Sequence, residues 1–222
     1  MKQFSVAALA AAVLLLTACN ASVSITADAK GGSTCTVVSS MGAAVEKTIR
    51  TISGADSSSP LFDAAEIKKG LSDAGFTETA VKLPSSSSLS LQTYAKNLAE
   101  GIHEVPGALA YSKAADGSQK LTLTLSPQTL QTAASLLPEK EHSYIDLLMA
   151  PVFTGEAMTE QEYIETVSSV YGDQIADELK SSTLTIIMTA AGSSGTAAKK
   201  TIRLIDLLTL TGNKSITSSL VW

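Results

Sequence analysis

Apolar residues alternate with hydroxyl residues in several short stretches, and this alternation constrains the fold more than any other feature. Val23, Ile25 and Ala27 are spaced by Ser24 and Thr26, and Leu121, Leu123 and Leu125 by Thr122 and Thr124; Leu184, Ile186 and Met188 repeat the period. Successive side chains of a strand point to opposite faces, so each stretch reads as a strand with one face buried and one wet. Turn residues join these strands to neighbours. Asp28–Ser33, with Gly31-Gly32, leads back into Thr34–Ser39, and Asp116-Gly117 separates Ala108–Ser112 from Lys120–Leu125. Both read as hairpins. By the same logic Thr201–Leu210 and Ser215–Trp222 form a hairpin across Gly212-Asn213, with Ile216, Ser218, Leu220 and Trp222 on one face. Thr77–Leu83 is a further strand, with Thr79, Val81 and Leu83 on one side and Pro84 and a run of serines breaking it.

Helical spacing interrupts the strands. Met41, Val45, Thr48, Ile49 and Ile52 recur at three and four residues, with Ser40 placed to cap them. Ser59-Pro60 opens a helix ending near Gly75, and Ser126-Pro127 opens another that stops near Pro138, serine capping and proline fitting the first turn. Leu91, Tyr94, Leu98 and Ile102 predict a helix over 91–102, and 139–149 predicts one ended by Pro151. Thr159 and Glu162 have the spacing of a capping box. The helix that follows has Tyr163, Val167, Val170, Ile175 and Leu179 on one face, with Gly172 placed to kink or end it. Strands and helices mix without regular alternation and neighbouring strands pair as hairpins. The expected class is therefore α+β, a mainly antiparallel sheet with several helices packed against it.

The N-terminus carries a different signal. Lys2 precedes a charge-free apolar segment from about Val6 to Leu16, and Leu16-Thr17-Ala18-Cys19 follows at once. A positive start, a short apolar centre and small residues are the build of a secretory signal, and about 11 apolar residues fall short of the roughly 20 of a spanning helix. With cysteine at the cleavage point, the segment resembles the lipobox of bacterial lipoproteins. The resemblance covers Met1 to about Ala21. It implies that residues 1–18 are removed, that the Cys19 thiol receives a diacylglycerol, and that the new amino terminus is open to acylation with a fatty acid such as palmitate. Residues 19–22 would then be the lipidated terminus and a short tether, and 23–222 a single α+β domain facing the periplasm or the cell exterior. Asn20, which is not aspartate, favours an outer membrane in an organism that has one.

Charge narrows the partners. Without residues 1–18, which hold Lys2 and no acid, the chain keeps 15 basic and 21 acidic residues, a formal −6. That argues against nucleic acid and against a polybasic membrane patch, which leaves a lipid at Cys19 as the link to a membrane. Cys35 has no second cysteine once Cys19 is lipidated, and its strand-like neighbours make it a small buried hydrophobe, with a reactive thiol or intermolecular bridge as the rival reading. No metal-ligand spacing, phosphate loop or Gly-x-Ser-x-Gly elbow occurs, so no cofactor is expected. His103 and His142 read as a cap or surface residues. Asp206 is the one carboxylate of interest. On a strand over 201–210 it would share a face with Ile202, Leu204, Leu208 and Leu210 at a buried or pocket-mouth position, whereas a bend or helix there would return it to water. Met149, Pro151, Val152 and Phe153 form an apolar link, read as core packing or as the wall of a ligand groove.

These readings leave three functions. The first is a lipid-anchored, non-enzymatic binding or structural protein of the cell envelope, with an envelope protein as partner. The second is a carrier of a lipid or other apolar ligand between sheet and helices. The third is a hydrolase with a site the sequence does not reveal.

Overall fold

The computed structural model describes residues 20–73, 76–98, 107–135, 148–192 and 197–222. Among them are nine strands and seven helices. The strands are β1 (Asn20–Ala27), β2 (Ser33–Ser40), β3 (Thr77–Ser85), β4 (Ser88–Ala95), β5 (Leu109–Lys113), β6 (Gln119–Leu125), β7 (Thr183–Ala190), β8 (Ala197–Arg203) and β9 (Ile216–Val221). The helices are α1 (Ala43–Ser53), α2 (Ala64–Asp73), α3 (Pro127–Ala134), α4 (Ala150–Thr154), α5 (Glu160–Tyr171), α6 (Asp173–Ser181) and α7 (Leu204–Leu208). One sheet has six strands in the order β3-β4-β2-β1-β7-β8, the other three in the order β5-β6-β9. Every pair is antiparallel except β1 with β7. This is the expected α+β class.

The alternation in sequence becomes the two faces of the large sheet. Ala21, Val23, Ile25 and Ala27 of β1 and Leu184, Ile186, Met188 and Ala190 of β7 all point inward and are buried. Their buried neighbours Val37, Leu89 and Leu91 extend the layer across β2 and β4. Helix residues Val45, Leu71, Leu130, Tyr163, Val167, Ile175 and Leu179, and Leu121 and Leu220 of the small sheet, join one continuous core. The outward rows are mostly serine and threonine, half-exposed. Val38, in the interior of the sheet, is exposed, so this face is open at its centre. The β3 edge is blunted by Pro84, the exposed Lys82 and register shifts on either side of β3's midpoint, with Glu78 in the left-handed region at φ 54°.

Several expectations are corrected. The residues Asn20–Ser22, expected as a tether, already lie in β1, paired with Ser40–Val38 on one side and Thr183–Thr185 on the other. The expected helix over 91–102 begins instead as β4. Leu89, Leu91 and Thr93 point inward while Ser90, Gln92 and Tyr94 point outward, so the three-and-four spacing of Leu91, Tyr94 and Leu98 joined residues from opposite faces. Residues 99–102 lie outside the described residues, as do residues 139–147 of the helix expected over 139–149 and the end near Pro138. Leu148 is helical, the helix is interrupted at Met149, and Pro151 sits in the first turn of the next helix, α4. Helix α2 starts at Ala64, not at Pro60, because the Asp63 carboxylate accepts the Ala65 and Glu66 amides.

The C-terminal hairpin is also corrected. β8 pairs with β7 in the large sheet and β9 with β6 in the small one. Between them the chain turns into α7, where Leu204, Ile205, Leu207 and Leu208 are all buried. Two adjacent apolar pairs cannot share one face of a strand, but they fall together on one side of a helix. Gly172, at φ 90°, ends α5 and separates it from α6. Val170, expected on the buried face, is exposed.

Candidate functional site

Cys19, His103 and His142 lie outside the described residues. What the structure places is the residue after Cys19. Asn20 begins β1, an interior strand of the large sheet, and its Oδ1 accepts from the Thr183 hydroxyl at 3.4 Å.

Asp206 is not a buried carboxylate. The turn into α7 puts it at the surface, with its side chain 43% exposed, and the Arg203 Nε donates to its Oδ2 at 3.1 Å. The same guanidinium donates to Glu160 Oε2 at 2.9 Å, tying the ends of β8 and α7 to the first turn of α5. A carboxylate so engaged is a member of a surface ion-pair cluster. The apolar link resolves as core: Met149 and Val152 are fully buried in and beside α4, with Phe153 packed against them. Cys35 lies on the inward row of β2 opposite Ile25 and Thr93, a free thiol that burial pushes up to about 11. At neutral pH it stays protonated and unreactive.

The polar clusters that do form were not legible in sequence, because each joins residues far apart in the chain. At the Asn20 end of the large sheet, the Glu178 carboxylate of α6 accepts from the amides of Ala44 (2.8 Å) and Val45 (3.0 Å), capping α1 from another helix. That replaces the expected Ser40 cap; the residue before α1 is Gly42, which supplies no side-chain cap. Nearby, Arg50 pairs with Glu46 at 2.8 Å and donates to the carbonyls of Asp56 and Ser59 and to the Ser86 hydroxyl. The hydroxyl of Ser87, with Arg50, holds the Glu46 carboxyl below its usual range. This cluster fastens the β3–β4 turn to α1.

The opposite end of the sheet is closed by Asp28. Its Oδ1 accepts the Lys30 and Gly32 amides at 2.7 and 2.9 Å, and its Oδ2 accepts from the Tyr94 hydroxyl at 2.7 Å. The Tyr94 hydroxyl, then the two amides, hold the Asp28 carboxyl below its usual range, and Asp28 in turn raises the Tyr94 hydroxyl. Tyr94 passes so close over Gly32 that a Cβ there would collide with its hydroxyl and with Asp28 Oδ2, so a side chain at 32 would have to displace this pair. The Asp-x-x-x-Gly turn is visible in sequence; the tyrosine that closes it, 66 residues on, is not.

Among the described residues, no group of three His, Cys, Asp or Glu side chains is arranged to hold a metal. No helix among them is long and apolar enough to cross a membrane. No protein-family model matches the chain, and no curated protein or solved structure matches it either.

Proposed function

We propose that this chain is a lipid-anchored protein of the bacterial cell envelope, held in a membrane by a diacylglycerol on Cys19, and that its folded part is a non-enzymatic binding or structural component. The observation that carries the reading is Leu16-Thr17-Ala18-Cys19 behind a short charge-free apolar segment. The placement of Asn20 in β1, the residue next to the proposed modification, is compatible with it. Cys19→Ala should abolish metabolic labelling with palmitate and leave an uncleaved precursor. Labelling that survives the change sinks the reading.

A second reading, a carrier of a lipid or other apolar ligand, is favoured by the small sheet. Leu109, Tyr111, Leu123, Leu125, Ile216 and Trp222 lie on its inward side yet remain half-exposed. Native mass spectrometry of the protein made without residues 1–19 separates the two: a bound apolar molecule favours the carrier, and a clean apo mass favours a structural or protein-binding role.

A further inference from the structure

A lipid at Cys19 would be joined to the fold with no slack. Adjacent Cα atoms are 3.80 Å apart, and Asn20 is already in register with Ser40 on one side and Thr183 on the other. β1 is the fourth of six strands, so its first residues can be freed only by breaking two hydrogen-bonded ladders at once. The row across this end of the sheet runs Ser85, Ser88, Ser40, Asn20, Thr183 and Arg203. The turn Ser86-Ser87 and the pair Ser181-Ser182 continue it. Only Arg203 in this set is charged. The acids behind it are engaged: Glu46 by Arg50, Glu178 by the α1 amides, Asp206 and Glu160 by Arg203. The end nearest the lipid therefore presents a row of hydroxyls, with Asp177 and Lys180 exposed beside Ser181 and Arg203 shared between two carboxylates; such hydroxyls suit a hydrogen-bonding headgroup layer, and the short link to Cys19 holds them there.

We propose that the Asn20 end of the six-stranded sheet is seated on the headgroups of the membrane that holds the lipid, with the Asp28–Gly32 turn pointing away from it. The proposal rests on the lipid-anchor reading and adds the orientation and the docking surface. The two ends are about 25 Å apart, eight residues of strand at about 3.3 Å each.

The test uses the full chain, processed in a bacterial host and reconstituted in vesicles of phosphatidylethanolamine and phosphatidylglycerol that contain a headgroup-spin-labelled lipid. Fluorophores are placed on Ser181→Cys, at the seated end, and on Lys30→Cys, at the far turn; both positions are exposed. Cys35, half-buried in β2, is replaced by alanine in both variants so that it cannot take the label. Quenching several-fold stronger at 181 than at 30 is expected. Equal quenching, or an unlabelled Cys variant at 181 that resists maleimide in the vesicles while the fluorophore-labelled one is unquenched, as a protein partner would make it, overturns the docking surface. The intact mass of the same sample shows whether the lipid is present, so a lipidated protein with equal quenching fails this proposal alone, and an unlipidated one fails both. Twelve Gly/Ser residues inserted between Cys19 and Asn20 should reduce the contrast several-fold. A contrast that survives the insertion overturns the role given to the missing tether.

Discussion

The two faces of the six-stranded sheet are made by the same strands and obey opposite rules. Inward, β1 and β7 bury valine, isoleucine, leucine, methionine and alanine against helices. Outward, the same strands place Ser22, Ser24, Thr26, Thr183, Thr185 and Thr189 where they stay half-exposed. Several of these hydroxyls bond across strands, as Thr26 does to Thr189 at 2.9 Å. The inner face is held by the removal of apolar surface from water, and a lost side chain there leaves a cavity. The outer face is held by the backbone ladder, and its side chains can be exchanged at little cost.

The largest expected effect lies on the inner face. Met188 is fully buried, and Met188→Ala should cost about 2–5 kcal/mol in chemical denaturation; a loss below about 1 kcal/mol would show that the inner face is loosely packed and dissolve the contrast. Behind that face, Glu178→Ala removes the carboxylate that caps α1 and should cost about 1 kcal/mol. Glu178→Gln should restore part of that, because its amide oxygen still accepts one backbone hydrogen.

The outer face yields smaller effects, one of them dependent on pH. Tyr94→Phe removes the hydroxyl held by Asp28 and should lower the denaturation midpoint at pH 7 by less than Glu178→Ala does. Because Asp28 is held below its usual range in the fold, its contribution is complete above the ordinary carboxylate range and is lost as pH falls through the lowered folded value. The deficit of Tyr94→Phe should therefore shrink on acidification. A deficit that does not change with pH would mean that the bond to the ionised carboxylate contributes nothing. Smallest of all, Thr185→Ala should shift stability by about 0.5 kcal/mol or less. A larger cost, measured by the same denaturation, would mean that the outer face is covered.

The strands with strict alternation were legible in sequence because a period of two fixes both the element and its buried face. β1, β6 and β7 lie within a few residues of where the pattern puts them. The capping residues of α3 and α5 were legible as well: Ser126 and Thr159 each accept the amide three residues on. Errors came where two periods coexist. In β4, Tyr94 completes a helical spacing with Leu91 although it lies on the opposite face. In 201–210, the alternation of Ile202, Leu204, Leu208 and Leu210 concealed the buried Ile205 and Leu207, which only a helix can accommodate. The same alternation puts Asp206 on an apolar face when 201–210 is read as one strand. The Asp28–Tyr94, Arg50 and Glu178 clusters depend on tertiary approach of distant residues, and no local pattern announces them.

The single parallel pairing in the large sheet has a consequence for how the chain is made. β1 and β7 are partners across 163 residues, so the N-terminal hairpin must wait for most of the sequence before its second neighbour exists. Such long loop closure slows folding, and until it occurs β1 is an open edge able to recruit other chains. A protein that emerges N-terminus first from a ribosome or a secretion channel passes through that interval every time. Chains cut short before Thr183 should retain the hairpin yet stay trapped there, so the last 40 residues, from Thr183 on, are what turn an adhesive intermediate into a finished sheet.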